Sequence, residues 1–220
     1  MGPIKDRTSA GRDLADQLRQ YAGRDDVIVL ALPRGGVPVA FEIAQALNAP
    51  LDLMLVRKLG TPGQEELAMG AIAMGGVRVL NEDIVAALHI SAAAIEEEAA
   101  KEQQELEHRQ QIYRGDRPLP EFRDKCVLLI DDGIATGATV RVAIQALRQQ
   151  QPARIVVATP VAPPDTVERL RREADEVICL ATPEPFMAIS MWYQHFPQTS
   201  DEEVKALLQR AWQTAAPSPA

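Results

Sequence analysis

The chain has 220 residues, with 23 Lys and Arg against 31 Asp and Glu, a formal charge of −8, and 46% of its residues are hydrophobic. That length suits one domain, or one domain with an appended element, and the apolar fraction is enough for a core. The acidic balance and the shortage of aromatics (4 Phe, 3 Tyr, 2 Trp) argue against nucleic-acid partners and anionic membranes, which are held by clustered Lys and Arg or by stacking side chains.

In chain order, Leu14, Leu18 and Tyr21 recur at helical spacing before Gly23, which predicts a short amphipathic helix over 10–22. Val27–Leu32 (VIVLAL) is a continuous apolar run, as expected of a parallel strand buried on both faces. Pro33-Arg34-Gly35-Gly36 breaks it. A helix over 37–47 follows, with Val39, Ile43, Ala44 and Leu47 on one face, and then a strand over 51–56 ended by Arg57-Lys58. Strand, Gly-rich turn, helix and strand make a βαβ unit with a right-handed crossover. Residues 59–76 carry five glycines and no clean period, so they are expected to be a flexible loop or ribbon, with Glu65-Glu66 solvated; Val77–Leu80 is a short strand.

Ser91 is a plausible N-cap for a long polar helix reaching about Tyr113. Six glutamates (96, 97, 98, 102, 105, 107) against Lys101 and Arg109 give this helix a net −4. Its apolar stripe (Ile95, Ala99, Leu106, Tyr113) is thin, which predicts an inserted, solvated arm or a partner-contacting helix, suited to a homodimer. The alternation then resumes, with strands over 126–130, 154–159 and 176–180 and helices over 139–149 and 165–173. The expected fold class is α/β, a mainly parallel sheet with helices on both faces. Ser200-x-x-Glu203 is a capping box opening a last helix with Val204, Leu207, Leu208, Ala211 and Trp212 on one face, and 215–220 are expected to fray.

Cys126 and Cys179 lie in apolar runs and read as small buried hydrophobes, not as a disulfide or metal ligands. The isolated His89, His108 and His195 read as surface or structural residues. No run of about 18 apolar residues exists and Met1–Arg12 has no apolar signal core, so the expected compartment is the cytoplasm.

The most informative stretch is Val127–Thr139, VLLIDDGIATGAT. A buried strand runs into two adjacent carboxylates, then a turn of small residues, then a helix. In an acidic chain, an anion must be held by local geometry, and such a turn aims backbone N–H groups and a helix N-terminus into one hollow. Thr136 and Thr139 add hydroxyls, while Gly137 and Ala138 allow close approach. Asp131 and Asp132 sit at the carboxyl end of a strand, where open α/β sheets bind ligands. Two acids beside a phosphate are accounted for if they hydrogen-bond a sugar diol or hold Mg²⁺ through water.

DDGIATGAT resembles the phosphoribosyl pyrophosphate (PRPP) motif of the type I phosphoribosyltransferases. The resemblance implies that Asp131 and Asp132 contact the ribose diol, and Mg²⁺ through water, while Ala135, Thr136, Gly137, Ala138 and Thr139 wrap the 5-phosphate. It extends to Arg34, Gly35 and Gly36, which stand where the family's pyrophosphate loop follows its first core strand. Arg57 and Lys58 stand where basic residues lead into a flexible catalytic loop, which implies that both bind the pyrophosphate, with Arg34 and Lys58 neutralising the leaving group. Phe186, Trp192, Tyr193 and Phe196 fall in the place of the base-covering hood, 183–200. The whole chain, 1–220, is then one phosphoribosyltransferase-like domain.

Two positions depart from the family pattern. Gly133 stands where the family usually has an aliphatic residue, which is expected to loosen the turn. Ala135 stands where 6-oxopurine transferases carry an Asp that manages a proton on the base; alanine cannot, so hypoxanthine or guanine salvage by that route is not expected. The leading expectation is an Mg²⁺-dependent transferase moving phosphoribosyl from PRPP to a small nitrogen acceptor, without nucleic-acid or membrane partners. A PRPP-binding regulator that has lost the transfer reaction is the alternative. A general nucleotide enzyme ranks last, because neither a GxGxxG fingerprint nor a P-loop lysine is present.

Overall fold

The computed structural model describes residues 3–214, so the expectation of a frayed 215–220 lies outside the described residues. Five strands, β1 (Val27–Ala31), β2 (Leu51–Leu53), β6 (Cys126–Ile130), β7 (Arg154–Val161) and β8 (Glu176–Ala181), form an all-parallel sheet in the order β2-β1-β6-β7-β8. Alternating side chains divide this sheet between two cores, the property that makes its central strands apolar throughout. Val27, Val29, Ala31, Leu128, Ile130 and Val156 face one side, with α1 (Arg7–Gln17), α2 (Gly36–Leu47), α4 (Ala92–Arg114) and α7 (Asp201–Thr214). Ile28, Leu30, Val127, Leu129, Ile155 and Val157 face the other, with α5 (Ala138–Gln149) and α6 (Pro164–Leu170). The mainly parallel α/β sheet with helices on both faces is therefore present.

Residues 59–76 are a paired ribbon and not a flexible loop. They form most of a three-stranded antiparallel sheet, β3 (Val56–Thr61), β4 (Gln64–Ala73) and β5 (Val77–Leu80), followed by a short α3 (Glu82–Ala87). The strand expected over 51–56 correspondingly ends at Leu53, and Arg57 and Lys58 lie within β3, opposite Ile72 and Ala71. Gly70 is part of this design, since a Cβ there would meet the Val79 carbonyl oxygen at 2.4 Å.

Helix α4 begins as expected, with the Ser91 hydroxyl accepting from Ala94 N–H at 3.2 Å, but it is neither a solvated arm nor a free interface. Ile95, Ala99, Leu106 and Tyr113, the stripe that suited a subunit contact, are buried in the first core with Leu59, Met69 and Ile72 of the antiparallel sheet. Its buried charges are paired: Arg57 Nε donates to Glu102 at 2.7 Å, and Arg114 binds both oxygens of Asp52 at 2.7 and 2.8 Å. The Ser200 cap also holds, accepting from Glu203 N–H at 3.1 Å. Among the described residues no helix is long and apolar enough to cross a membrane.

Candidate active site

In the strand order β2-β1-β6-β7-β8, the chain leaves β1 toward one edge and β6 toward the other, so the topological switch point lies between β1 and β6. Open parallel sheets bind ligands in the crevice outside that point. The two loops that flank it are 32–36 and 131–137.

They touch through their glycines. A Cβ on Gly35 would lie 2.0 Å from Asp132 Oδ2 and 2.9 Å from Oδ1, so the Asp132 carboxylate rests against the bare Cα of Gly35. A Cβ on Gly36 would meet the Ile130 carbonyl oxygen at 2.8 Å and Asp131 Cα at 3.2 Å. Arg34 leaves this turn partly exposed, with Nη1 3.7 Å from Asp201 Oδ1, and the same Asp201 oxygen accepts from Tyr113 Oη at 2.6 Å. Burial and that hydrogen bond push the Tyr113 phenol up to about 12.

The acid pair is unequal. Withdrawal from water, and then the neighbouring Asp132, push the Asp131 carboxyl well above the usual carboxylate range. Its Oδ1 accepts from Asp132 N–H at 2.9 Å. Asp132 is the partner of a cation absent from the sequence expectations: Arg7 Nε lies 2.7 Å from Asp132 Oδ2. One signal pointed to Arg7. Asp6-x-x-Ser9 is an N-cap pattern, and Asp6 Oδ1 does accept from Ser9 N–H at 2.7 Å. That cap puts Arg7 in the first turn of α1, where a cation opposes the helix dipole unless something else holds it.

Beyond the acids, Ala135, Thr136, Ala138 and Thr139 are exposed around the N-terminus of α5, and Gly137 takes the left-handed conformation (φ 77°) that lets the chain enter the helix. Thr166 Oγ1 donates to the Ala135 carbonyl at 2.9 Å and pins the turn from behind. The result is an open ring of small residues at a helix start, the arrangement that receives a phosphate.

The hood is only partly a cover. Tyr193 is buried, donates to the Asp132 carbonyl at 2.6 Å, and packs on Phe196 with ring centroids 4.6 Å apart, in a small core with Ile4 and Ala10. A phenol whose hydroxyl is already satisfied and whose ring is enclosed has no face left for a base, so Tyr193 braces the turn instead of covering an acceptor. Phe186 and Trp192 are half-buried. Gly133 does not loosen the turn either. A Cβ there would lie 2.3 Å from Ile189 Cγ2, so the hood's Ile189 fills the space of the missing aliphatic side chain. Arg57, committed to Glu102, joins β3 to α4, while Lys58 is exposed on β3. A cavity of about 370 Å³ lined by Thr61, Gln64, Leu88, His89 and Ser91 shares no residue with these loops.

The sequence profile of the family described as "Phosphoribosyl transferase domain" matches residues 3–187. The chain belongs to this family. It is 50% identical over 206 residues to the Mycobacterium tuberculosis (strain H37Rv) protein named "Putative phosphoribosyl transferase Rv0571c", covering 94% of this chain and 46% of that protein. The chain thus spans about half the length of the curated relatives it matches. Among solved structures, TT1426 from Thermus thermophilus superposes with a TM-score of 0.84 at 42% identity, over 94% of this chain and 98% of that one. The AQ2163 protein from Aquifex aeolicus shares the fold alone, with a TM-score of 0.51 at 13% identity over 96% and 86% of the two chains.

Proposed function

We propose that the chain transfers the phosphoribosyl group of PRPP to a small nitrogen acceptor and releases pyrophosphate. The observation that carries this reading is the contact of the 32–36 turn with the acid pair, Gly35 against the Asp132 carboxylate, at the switch point of a phosphoribosyl transferase sheet. The 5-phosphate sits in the 135–139 ring, under the start of α5. Asp131 and Asp132 accept from the ribose hydroxyls. Arg34, the 35–36 amides and Lys58 neutralise the pyrophosphate.

In the transfer, the bond from the anomeric carbon to the pyrophosphate oxygen breaks, and pyrophosphate leaves with the electron pair. The acceptor nitrogen supplies the pair for the new bond, and its proton passes to the departing pyrophosphate or to solvent. The transition state is oxocarbenium-like and must be kept from water, a task suited to the β3–β4 hairpin. Asp131 and Asp132 offer the hard oxygen donors that Mg²⁺ takes. Among the described residues no group of three or more His, Cys, Asp or Glu stands close enough to hold a metal unaided, which fits an ion shared with substrate phosphates. When bound, Mg²⁺ supplies further neutralisation of the leaving group.

The test is pyrophosphate release from PRPP with Mg²⁺ across a panel of purine and pyrimidine bases. Release dependent on one base is the expected result and names the acceptor. PRPP bound but never consumed would replace the transferase with a PRPP sensor, and no binding would overturn both. A second check uses Gly35, whose φ of −63° and ψ of −27° suit any residue. Gly35→Ala is expected to fold normally, to displace the Asp132 carboxylate, and to cut turnover by about 100-fold. A variant with wild-type turnover would separate the glycine from the site.

A further inference from the structure

We propose that Arg7 is a positioning residue of the active site, which locks the Asp132 carboxylate through the hood so that its ribose-facing oxygen is presented in one orientation. The inference rests on the reading of this crevice as a PRPP site.

Three contacts converge on this guanidinium. Nε donates to Asp132 Oδ2 at 2.7 Å, and Nη1 donates to the Pro197 carbonyl at 2.6 Å. The plane lies over the Phe196 ring, 3.8 Å from its centroid, and the side chain is only 11% exposed. Gly35 backs the carboxylate that Arg7 holds, since a Cβ there would lie 2.0 Å from Oδ2 and 2.9 Å from Oδ1. Asp132 is therefore held at Oδ2 by a cation and backed there by the chain at Gly35, and Oδ1 is the oxygen left for a ligand. Arginine does this better than a point charge, since its fork serves a carboxylate and a carbonyl together while its face stacks on an aromatic ring.

The hood is built to keep that fork in place. Ile4 N–H donates to the Trp192 carbonyl at 2.8 Å, and Gln194 N–H donates back to the Ile4 carbonyl at 2.8 Å. Tyr193 Oη holds the Asp132 backbone while Ile189 fills the gap at Gly133. The hood thus grips both the chain that carries Arg7 and the turn that carries Asp132. A surface ion pair would have none of this support and would contribute little.

The experiment compares two ligands by calorimetry on the full chain: PRPP with Mg²⁺, which needs the acid pair, and metal-free inorganic pyrophosphate, which needs only the 34–36 turn. Arg7→Met is expected to weaken PRPP by about tenfold or more, the scale of one hydrogen bond to a charged group, and to leave pyrophosphate within about twofold. Arg7→Lys, which keeps a charge on Asp132, is expected to recover part of the PRPP loss. Equal weakening of both ligands would make Arg7 a merely structural brace, and unchanged PRPP affinity would remove its role altogether; either overturns the inference. Should Arg7→Met fail to fold, Arg7→Lys decides alone: PRPP weakened more than pyrophosphate supports the lock, and equal effects overturn it. Failure of the wild-type chain to bind PRPP is a separate result, which would overturn the functional reading instead.

Discussion

Asn in place of Asp131 is expected to cost PRPP affinity and gain stability in the same molecule. A carboxyl whose folded pKa lies above its unfolded value holds its proton more tightly in the native state. Native stability therefore falls as pH rises from the unfolded pKa through the folded one. Asp131 is such a group, withdrawn from water and set beside Asp132. Asparagine keeps an oxygen to accept from Asp132 N–H, a bond of 2.9 Å in the native chain, and carries no charge to desolvate. Thermal melts should show Asp131→Asn above the wild type at pH 8, with the gap closing as pH falls toward the ordinary carboxylate range. PRPP affinity should drop by about 10- to 100-fold, because a hydrogen bond to an ionised acceptor is lost. Unchanged affinity would release Asp131 from the site. A melting temperature that falls at pH 8 would contradict the strained pair.

The largest effect on stability is expected at Arg114. Its side chain is fully buried and Asp52 is 7% exposed, with two charge-assisted bonds between them. Arg114 also donates to the carbonyls of Arg117 and Pro118 at 3.0 and 2.8 Å. Arg114→Met leaves Asp52 buried without its cation, a change that costs about 3–5 kcal/mol. For a chain of this size the melting point should fall by about 10 °C. Adding Asp52→Leu should restore much of the loss, since an apolar pair often replaces a buried ion pair without penalty. A single variant that melts like the wild type would show that Asp52 finds another partner.

The parallel sheet was legible for one physical reason. Burial on both faces writes β1, β6 and residues 155–158 of β7 as unbroken apolar runs, and no helix period competes over so few residues. Within the antiparallel sheet β5 was legible, but β3 and β4 hid because they are rich in glycine, alanine and polar residues, and because register shifts around Gly60 break the period-two pattern. Helix α4 looked solvated because two of its buried side chains, Glu102 and Arg114, are charged, and their partners lie 45 and 62 residues away. At the site, the two loops were legible because phosphate-binding turns need particular small residues. Arg7 was not, since its partner stands 125 residues along the chain and the Asp6-x-x-Ser9 cap marks only where its helix starts.

The pairing of Ile4 with Tyr193, and the bond from Arg7 to Pro197 across 190 residues, set the order in which the molecule can be assembled. Contacts that distant in sequence form late, because the entropy of closing so large a loop is lost before any contact repays it. The 135–139 ring needs only β6, α5 and α6 and can be in place early. The fixed orientation of Asp132 waits for the segment 189–197. A chain still emerging from the ribosome, and ending before Ile189, would hold every residue of the DDGIATGAT turn while its second aspartate still swings free.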